Sequence, residues 1–413
     1  MIGYSTIQVF EHERLLIGNK GFKQKHLDAL LKLNELHDFQ YFDPIYGGLK
    51  FKQYVGVIQV DGLCIEILPK ADKHGDKGQW QKVLIHMLKA CGRLKPESAG
   101  GANVKRQHLN LLEVYFELFL NEVDGLIRRG LVKQYRKHTG QVKALKGKLE
   151  FAGQIRHNLV HQERFYTSHQ VYDQDHLLHQ VLNTALEIVG HFTKGTSLYD
   201  KCKRVQLEFP EVSSKQVTSE LLERIKLNRK TAPYSYPLEI ARLIILNYSP
   251  DISSGQERML SLLFDMNQLW EEYVLVILKK TLKASPFVVT GQETKPFWNY
   301  NYLQPDIVIQ HKETNETFII DTKWKQPGLS SASVGDLRQM YAYNRFWNAK
   351  KAMLLYPGEN RNTEFKYFLN EGEDHSCKMG FVSVVDEKAR LNVDVGYDVL
   401  RQIEITPYHF NSN

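Results

Sequence analysis

The stretch that most constrains this chain lies at 303–323, where two short apolar runs flank a polar turn. Ile307-Val-Ile-Gln follows Leu303-Gln-Pro-Asp306, Phe318-Ile-Ile leads into Asp321-Thr-Lys323, and HKETNET (311–317) joins them. Runs of this length and composition, so closely linked, predict two antiparallel strands. A turn centred between Glu313 and Thr314 places Asp306 directly opposite Asp321, with Cβ atoms about 5 Å apart. Side chains alternate along a strand, so Lys323 shares the face of Asp321. Three charged groups therefore converge at the end of a hairpin otherwise made of Ile, Val and Phe.

Two carboxylates at that spacing repel unless a cation lies between them. An all-oxygen ligand pair suits Mg²⁺, with Mn²⁺ as an alternative, because Mg²⁺ keeps several waters and takes only one or two protein carboxylates. A metal held by Asp306 and Asp321 can acidify a water and offset charge on a phosphate under in-line attack. Lys323 could orient or deprotonate that water, or stabilise the transition state; the residues leave its role open. Each piece alone also fits a solvated surface, since Asp after Pro is a common turn residue and D-x-K a common strand end. Their coincidence with the surrounding element order points to catalysis. RMLSLLFDMNQLWEEYVLVILKKTLKA (258–284) reads as one long amphipathic helix. PFVVTGQE, YLQPDIVIQ and ETFIIDTKW read as three strands, VGDLRQMYAYNRFWNA as a helix, and KKAMLLYP as a further strand. Helix, three strands, helix, strand is an α/β plan.

A chain of 413 residues exceeds one ordinary core and implies two or three domains. With 42% hydrophobic and 24% charged residues it is a folded protein, and its formal charge of +7 permits a polyanionic partner without establishing one. Cys64, Cys91, Cys202 and Cys377 lie far apart, and the sixteen histidines form no HExxH pair. A zinc site and a disulfide framework are both unsupported. The N-terminus shows no basic segment leading into an apolar run, and no stretch approaches the roughly 20 apolar residues of a membrane helix. The expectation is a cytoplasmic protein without a membrane partner.

The expected fold class is multidomain α/β, or α+β overall. Residues 1–100 form a mixed region with a helix over 21–37, a hairpin turning at Asp61-Gly62 and a helix over 80–91; this region is a candidate for binding a partner. A polar loop at 71–78 and a small-residue connection at 97–103 punctuate it. Residues 101–250 read as mainly helical, with NLLEVYFELFLNEVDGLI (110–127) apolar on most sides and so buried. Pro233, Pro237 and Pro250 precede a last domain at 251–413. Within the middle region, 125–149 holds Arg128, Arg129, Lys133, Arg136, Lys137, Lys143, Lys146 and Lys148 without one acid. Such a run can neutralise phosphates with Tyr135 available for stacking, meet an acidic face of a partner, or simply be solvated. Tyr172, Asp173 and Asp175 precede a helical run, where capping is the ordinary role.

Pro305-Asp306 … Asp321-Thr322-Lys323 resembles the PD-(D/E)xK nuclease signature, whose core has this α-β-β-β-α-β order. Gln339 to Tyr343 is similar to the QxxxY element of some of these nucleases, which implies a place for Gln339 at the active-site rim; a surface Gln beside packed tyrosines is the alternative. Trp270-Glu271-Glu272-Tyr273 is similar to an aromatic-Glu element that supplies a further acidic group, here assigned to Glu271 rather than Glu272. Upstream, YVGVIQVDGLCIEILPK, LKGKLEF (145–151), YDQDHLLHQVLNTAL (172–186) and FDMNQLWEEYV resemble, in order, the McrC family. That family supplies the nuclease subunits of McrBC-type modified-cytosine restriction systems. The resemblance implies a Mg²⁺-dependent endonuclease of double-stranded, modified DNA. It also implies a hexameric, GTP-hydrolysing AAA+ partner of the McrB kind, with ATP use left open. Consistently, no GxxxxGK[ST] phosphate loop occurs in this chain. Two rival readings remain at this stage: a non-catalytic activator of an AAA+ NTPase, and a stand-alone PD-(D/E)xK nuclease of repair or mobile-element type.

Overall fold

In the computed structural model, the residues described are 5–60, 62–70, 77–94, 110–249, 258–325, 332–361, 363–369, 374–386 and 391–405. The N-terminal stretch runs β1 (Ser5–Phe10), β2 (Arg14–Leu16), α1 (Gln24–Leu36), β3 (Phe42–Ile45), β4 (Gly48–Phe51), β5 (Tyr54–Val60), β6 (Leu63–Leu68) and α2 (Lys77–Ala90). Helix α1 buries Leu27, Leu30 and Leu33, one stripe at helical spacing, and leaves Leu36 exposed. Its buried Asn34 donates to the Phe42 carbonyl and accepts from the Tyr41 and Phe42 amides, which locks the entry to β3. The run 48–60 forms two strands, with a break at Lys52-Gln53. Gly62 takes φ +73° between β5 and β6, a turn conformation suited to Gly; Asp61 lies outside the described residues, as does the expected connection at 97–103 and most of the loop at 71–78.

The middle stretch runs α3 (Leu111–Arg129), β7 (Gln134–Val142), β8 (Lys148–Leu149), α4 (Phe151–Asn158), β9 (Phe165–Asp173), α5 (Leu177–Phe192), α6 (Tyr199–Glu208), α7 (Ser219–Glu223), α8 (Ser235–Leu246), β10 (Tyr248–Ser249) and β11 (Met259–Asp265). Helix α3 is buried as expected, and a capping box closes its start: Asn110 accepts from the Glu113 amide while Glu113 accepts from the Asn110 amide. The mainly helical expectation misses a three-stranded antiparallel sheet, ordered β7-β9-β8, that interrupts these helices. Polar strands such as QYRKHTGQV carry little apolar periodicity, which is why the sheet escapes a hydrophobic reading.

The C-terminal stretch runs α9 (Met266–Thr281), β12 (Phe287–Gly291), β13 (Lys295–Trp298), β14 (Asn301–Leu303), β15 (Ile307–His311), β16 (Thr317–Thr322), α10 (Val334–Trp347), β17 (Lys351–Pro357), β18 (Lys366–Tyr367), β19 (Ser376–Val382) and α11 (Val395–Gln402). Two expectations need correction. Residues 259–265 form a strand, not the first turns of a long helix; α9 begins only after Asp265, whose carboxylate accepts from the Asn267 and Gln268 amides as an N-cap. Residues 301–303 belong to a separate β13–β14 ribbon, so the expected strand YLQPDIVIQ starts at Ile307.

A six-stranded mixed sheet ordered β12-β15-β16-β17-β19-β18 forms the centre of this stretch. β15 and β16 are antiparallel, and Ile307↔Ile320 and Val308↔Ile319 show the register expected from the sequence. β16, β17 and β19 are parallel, and almost every residue of β16 and β17 is buried, as strands covered on both faces must be. Helix α10 covers one face, packing Met340, Tyr343 and Trp347 against Val308, Ile319, Ala352, Leu354 and Tyr356.

Contacts divide the chain into two compact units, one of residues 1–5, 58–62 and 106–262, the other of residues 6–57, 63–105 and 263–413. The second unit contains both the six-stranded sheet and most of the N-terminal region. Among the described residues, no helix is long and apolar enough to cross a membrane.

Candidate active site

The second unit opens in a cleft of about 580 Å³ lined by Tyr54, Arg93, Asp265, Gln268, Glu271, Asp306, Thr322 and Lys323, among others. Asp306 enters it just before β15. The Gln292 amide donates to its backbone carbonyl, and the Thr322 amide and hydroxyl donate to its Oδ2 at 2.6 and 2.8 Å. Asp321 lies at the end of β16 on the strand face that carries Ile319, and is 1% exposed. Lys323 continues that face, because its amide still bonds the Leu355 carbonyl of β17. Its Nζ sits 2.7 Å from Asp321 Oδ2, which makes no well-directed hydrogen bond.

The electrostatics follow from this crowding. Burial, then the neighbouring Asp306 charge, pushes the Asp321 carboxyl up to about 6 despite Lys323. Burial also raises Asp306 against the pull of its Thr322 bonds. For Lys323, burial favours the neutral amine, but Asp321 and Asp306 outweigh it and the ammonium is held above its ordinary range. The fourth group is Glu271, from the second turn of α9. Burial, then Asp306, lifts it to about 7, opposed by the Gln292 amide that donates to it at 2.7 Å.

Glu272, one residue on, is held elsewhere: Arg93 grips it through Nε at 3.0 Å and Nη2 at 2.6 Å. Of the sequence candidates, the structure thus brings Asp306, Asp321, Lys323 and Glu271 together. Gln339 does not line the cleft. Its amide donates to the Tyr343 hydroxyl, which donates to the Gln304 carbonyl two residues before Asp306. Sequence reasoning missed Thr322, Gln292, Tyr54 and Arg93. Thr322 was signalled by its place between Asp321 and Lys323; Tyr54 and Arg93 line the cleft and Gln292 bonds Glu271 through contacts that no local pattern encodes.

One more buried contact stands behind the site. Glu11 Oε1 accepts from Trp324 Nε1 at 2.6 Å and from the Lys70 amide at 2.8 Å. The Trp324 ring in turn packs 5.5 Å from that of Trp270. The residues next to Lys323 and Glu271 therefore share one aromatic support.

Among the described residues, no three His, Cys, Asp or Glu side chains close on a point that could hold a metal by themselves. Asp306 and Asp321 nevertheless fit a hard, hydrated cation. They are two crowded carboxylates whose protonation is favoured by burial, with a single ammonium beside them. An ion that keeps most of its waters needs no further protein ligand.

In the other unit, strand alternation splits the basic segment. Tyr135 and Lys137 are exposed on one face of β7, and Lys133 is exposed just before it, whereas Arg136 points to the other face. There it binds Asp173 through both Nε and Nη2 and lies 3.2 Å from Asp175. Asp175 also accepts from Ser213 and Gln180, so neither aspartate caps a helix. Arg128 pairs with Asp124 one turn back and Lys148 approaches Glu150, while Arg129, Lys143 and Lys146 are exposed.

A mixed α/β protein with a carboxylate and lysine cluster at the end of a buried sheet is the class that this fold and site define. Within that class the chain belongs to the family of McrBC 5-methylcytosine restriction system components, whose profile matches residues 49–357. It is similar to the type IV methyl-directed restriction enzyme EcoKMcrBC of Escherichia coli K12, 20% identical over 287 residues that cover 63% of this chain and 81% of the relative. Its fold is similar to a chain in a half-complex from a tetradecameric assembly of Thermococcus gammatolerans McrB AAA+ hexamers with bound McrC. That likeness has a TM-score of 0.70 and 20% identity, covering 97% of this chain and 99% of the other. A chain of the Thermococcus gammatolerans McrBC complex matches at a TM-score of 0.50 and 24% identity over 67% and 88%. At these identities the structural likenesses concern the fold.

Proposed function

We propose that this chain is the DNA-cutting subunit of a restriction complex. Its cleft would hydrolyse a phosphodiester, and an AAA+ GTPase of the McrB kind would be its motor. The observation that carries the reading is that Asp306 and Lys323 line an open cleft with Asp321 buried against Lys323, in an order of elements that matches a PD-(D/E)xK core with the β13–β14 ribbon inserted. Asp306 and Asp321 would hold Mg²⁺, which when bound supplies charge neutralisation at the scissile phosphate and a more acidic water. Thr322 fixes the Asp306 carboxylate so that it need not reorganise on binding. Lys323, held as an ammonium by its two carboxylate neighbours, is suited to donate to a phosphate oxygen rather than to accept a proton. Glu271, bonded to Gln292, borders the same space and can accept a hydrogen bond from the attacking water. The exposed Lys133, just before β7, and Lys137 on it are open to phosphates or to an acidic partner, whereas Arg136 is already engaged.

The test is to purify the chain with an AAA+ GTPase of the McrB kind and assay cleavage of methylated and unmethylated duplexes with and without Mg²⁺ and GTP. Asp321→Ala and Lys323→Ala are each expected to slow cleavage by at least about a hundredfold, while nucleotide hydrolysis by the complex continues. Cleavage that survives Asp321→Ala would remove Asp321 from the site. Cutting by the isolated chain, without partner or nucleotide, would point instead to a stand-alone nuclease.

A further inference from the structure

Between the first and second strands that frame the site, the chain makes a two-stranded ribbon with the sequence KPFWNYNYL, residues 295–303. Lys295 faces Leu303, Pro296 faces Tyr302 and Trp298 faces Asn301, with a bulge between Pro296 and Trp298 and Asn299 at φ +53° in the turn. One side of the ribbon is anchored. Phe297 packs edge-on to Phe346 at 5.5 Å, while Lys295 donates to the Phe346 carbonyl and lies 4.7 Å over the Trp347 ring. Leu303 packs against the core beneath α10. The opposite outcome holds for Trp298, Tyr300 and Tyr302, which are 71%, 87% and 61% exposed.

Scattered exposed apolar residues need no explanation, but three large aromatics within five residues on an anchored ribbon do. A ribbon that met only water would gain nothing from them. We propose that this ribbon grips the duplex beside the cut, with Trp298, Tyr300 and Tyr302 packing against its bases and sugars; the inference rests on the nuclease reading of the cleft.

Three observations favour DNA over a protein surface. First, the ribbon runs directly into the site: Tyr302 is four residues from Asp306, at most about 14 Å along an extended chain. At about 3.4 Å per phosphate on one strand, that is roughly four nucleotides, so a duplex seated in the cleft must pass it. Second, its base is tied to the site, because Gln304 bonds both Gln292 and the Tyr343 hydroxyl. Third, no acid occurs between Thr294 and Pro305, so nothing in the ribbon repels phosphates. Aromatic faces with interleaved Asn side chains accept any base by stacking or wedging and confer little sequence preference, which suits a subunit that cuts where a partner delivers it.

The experiment uses the full chain with the same AAA+ GTPase and GTP. Duplexes carry the fluorescent base 2-aminopurine at successive positions within six nucleotides of the mapped cut. Binding is read in an Asp321→Asn background, where cleavage is blocked. A fluorescence change is expected at positions on one side of the cut. It should be lost in Trp298→Ala/Tyr300→Ala and retained in Trp298→Phe. In the otherwise unchanged chain, the double variant should need at least tenfold more DNA for half-maximal cleavage. Unaltered thermal unfolding would show that the fold is intact. Wild-type fluorescence and DNA dependence in the double variant would overturn the proposal. So would a variant that binds DNA normally but no longer assembles with the AAA+ protein or with a second copy, since the ribbon would then be a protein-docking element. If the wild-type complex binds DNA but yields no cut to map, the nuclease reading fails, and 2-aminopurine stepped along the whole duplex would still report whether the ribbon meets DNA.

Discussion

Glu271 and Glu272 are adjacent on α9, chemically identical and held in opposite ways. A helix turns about 100° per residue, so one side chain enters the cleft while the next meets Arg93. Glu272 has a bidentate cation and contributes to packing of α9; Glu271 has only an amide donor and the field of two aspartates. Glu271→Gln should therefore lower cleavage at least tenfold with little change in thermal stability. Glu272→Gln should do the reverse, costing about 1 kcal/mol for a partly exposed charge pair and leaving the cleavage rate within about twofold. Steady-state cleavage and thermal melts of the two variants separate these outcomes, and equal kinetic losses would break the distinction. The Asp306, Asp321 and Lys323 cluster was legible in the sequence because a hairpin is local and its register follows from the turn. The Arg93 partnership was not, since 179 residues separate it from Glu272 and no periodicity spans that distance.

At the scale of elements, the start of α9 decides how Glu271 is aimed. Residues 259–282 are apolar enough to be read as one helix, yet the chain is strand to Asp265 and helix after it. Two forces override helical propensity here. β11 completes backbone hydrogen bonds with β10, and Asp265 satisfies two amides that a helix start leaves bare. Gln53 adds to this by donating to Asp265 Oδ2 and accepting from the Met266 amide. The cap was visible as Asp before an apolar run, but apolar continuity masked it. Asp265→Ala is expected to destabilise the protein by about 1 kcal/mol, or roughly 2–4 °C in midpoint. Because the freed helix end can fray toward Glu271, it should also lower the cleavage rate severalfold. Asp265→Asn, which keeps the capping oxygen, should restore both. If Asp265→Asn is as damaging as Asp265→Ala, the carboxylate acts by its charge in the cleft and not as a cap.

At the scale of the molecule, the second unit is closed by residues from opposite ends of the chain. Glu11 and Trp324 are 313 positions apart, and their hydrogen bond ties the N-terminal strands to the segment that carries Lys323. No sequence pattern could announce it. Glu11 is 5% exposed, Oε2 has no hydrogen-bond partner, and the nearest cation candidate is His12 at 3.9 Å, a ring whose own protonation is disfavoured by burial and Lys50. Burial therefore dominates, and it lifts the Glu11 carboxyl from its ordinary 4.5 to about 7 despite the bonds from Trp324 and Lys70. The sign follows from proton binding. Between about 4.5 and 7 the folded protein holds a proton on Glu11 that the unfolded chain has lost. The stability linked to this group is thus fully present below about 4.5, declines as pH rises, and is gone above about 7. A shift of that size corresponds to the order of 3 kcal/mol. Glu11→Gln cannot ionise, so its stability relative to wild type should improve as pH rises from about 4.5 to about 7 and level off above that. Chemical unfolding of both proteins at several pH values measures that difference directly, and other titrating groups cancel in the comparison. A constant gap between the two proteins would mean that Glu11 keeps one charge state throughout and that the buried link is not a proton-dependent one.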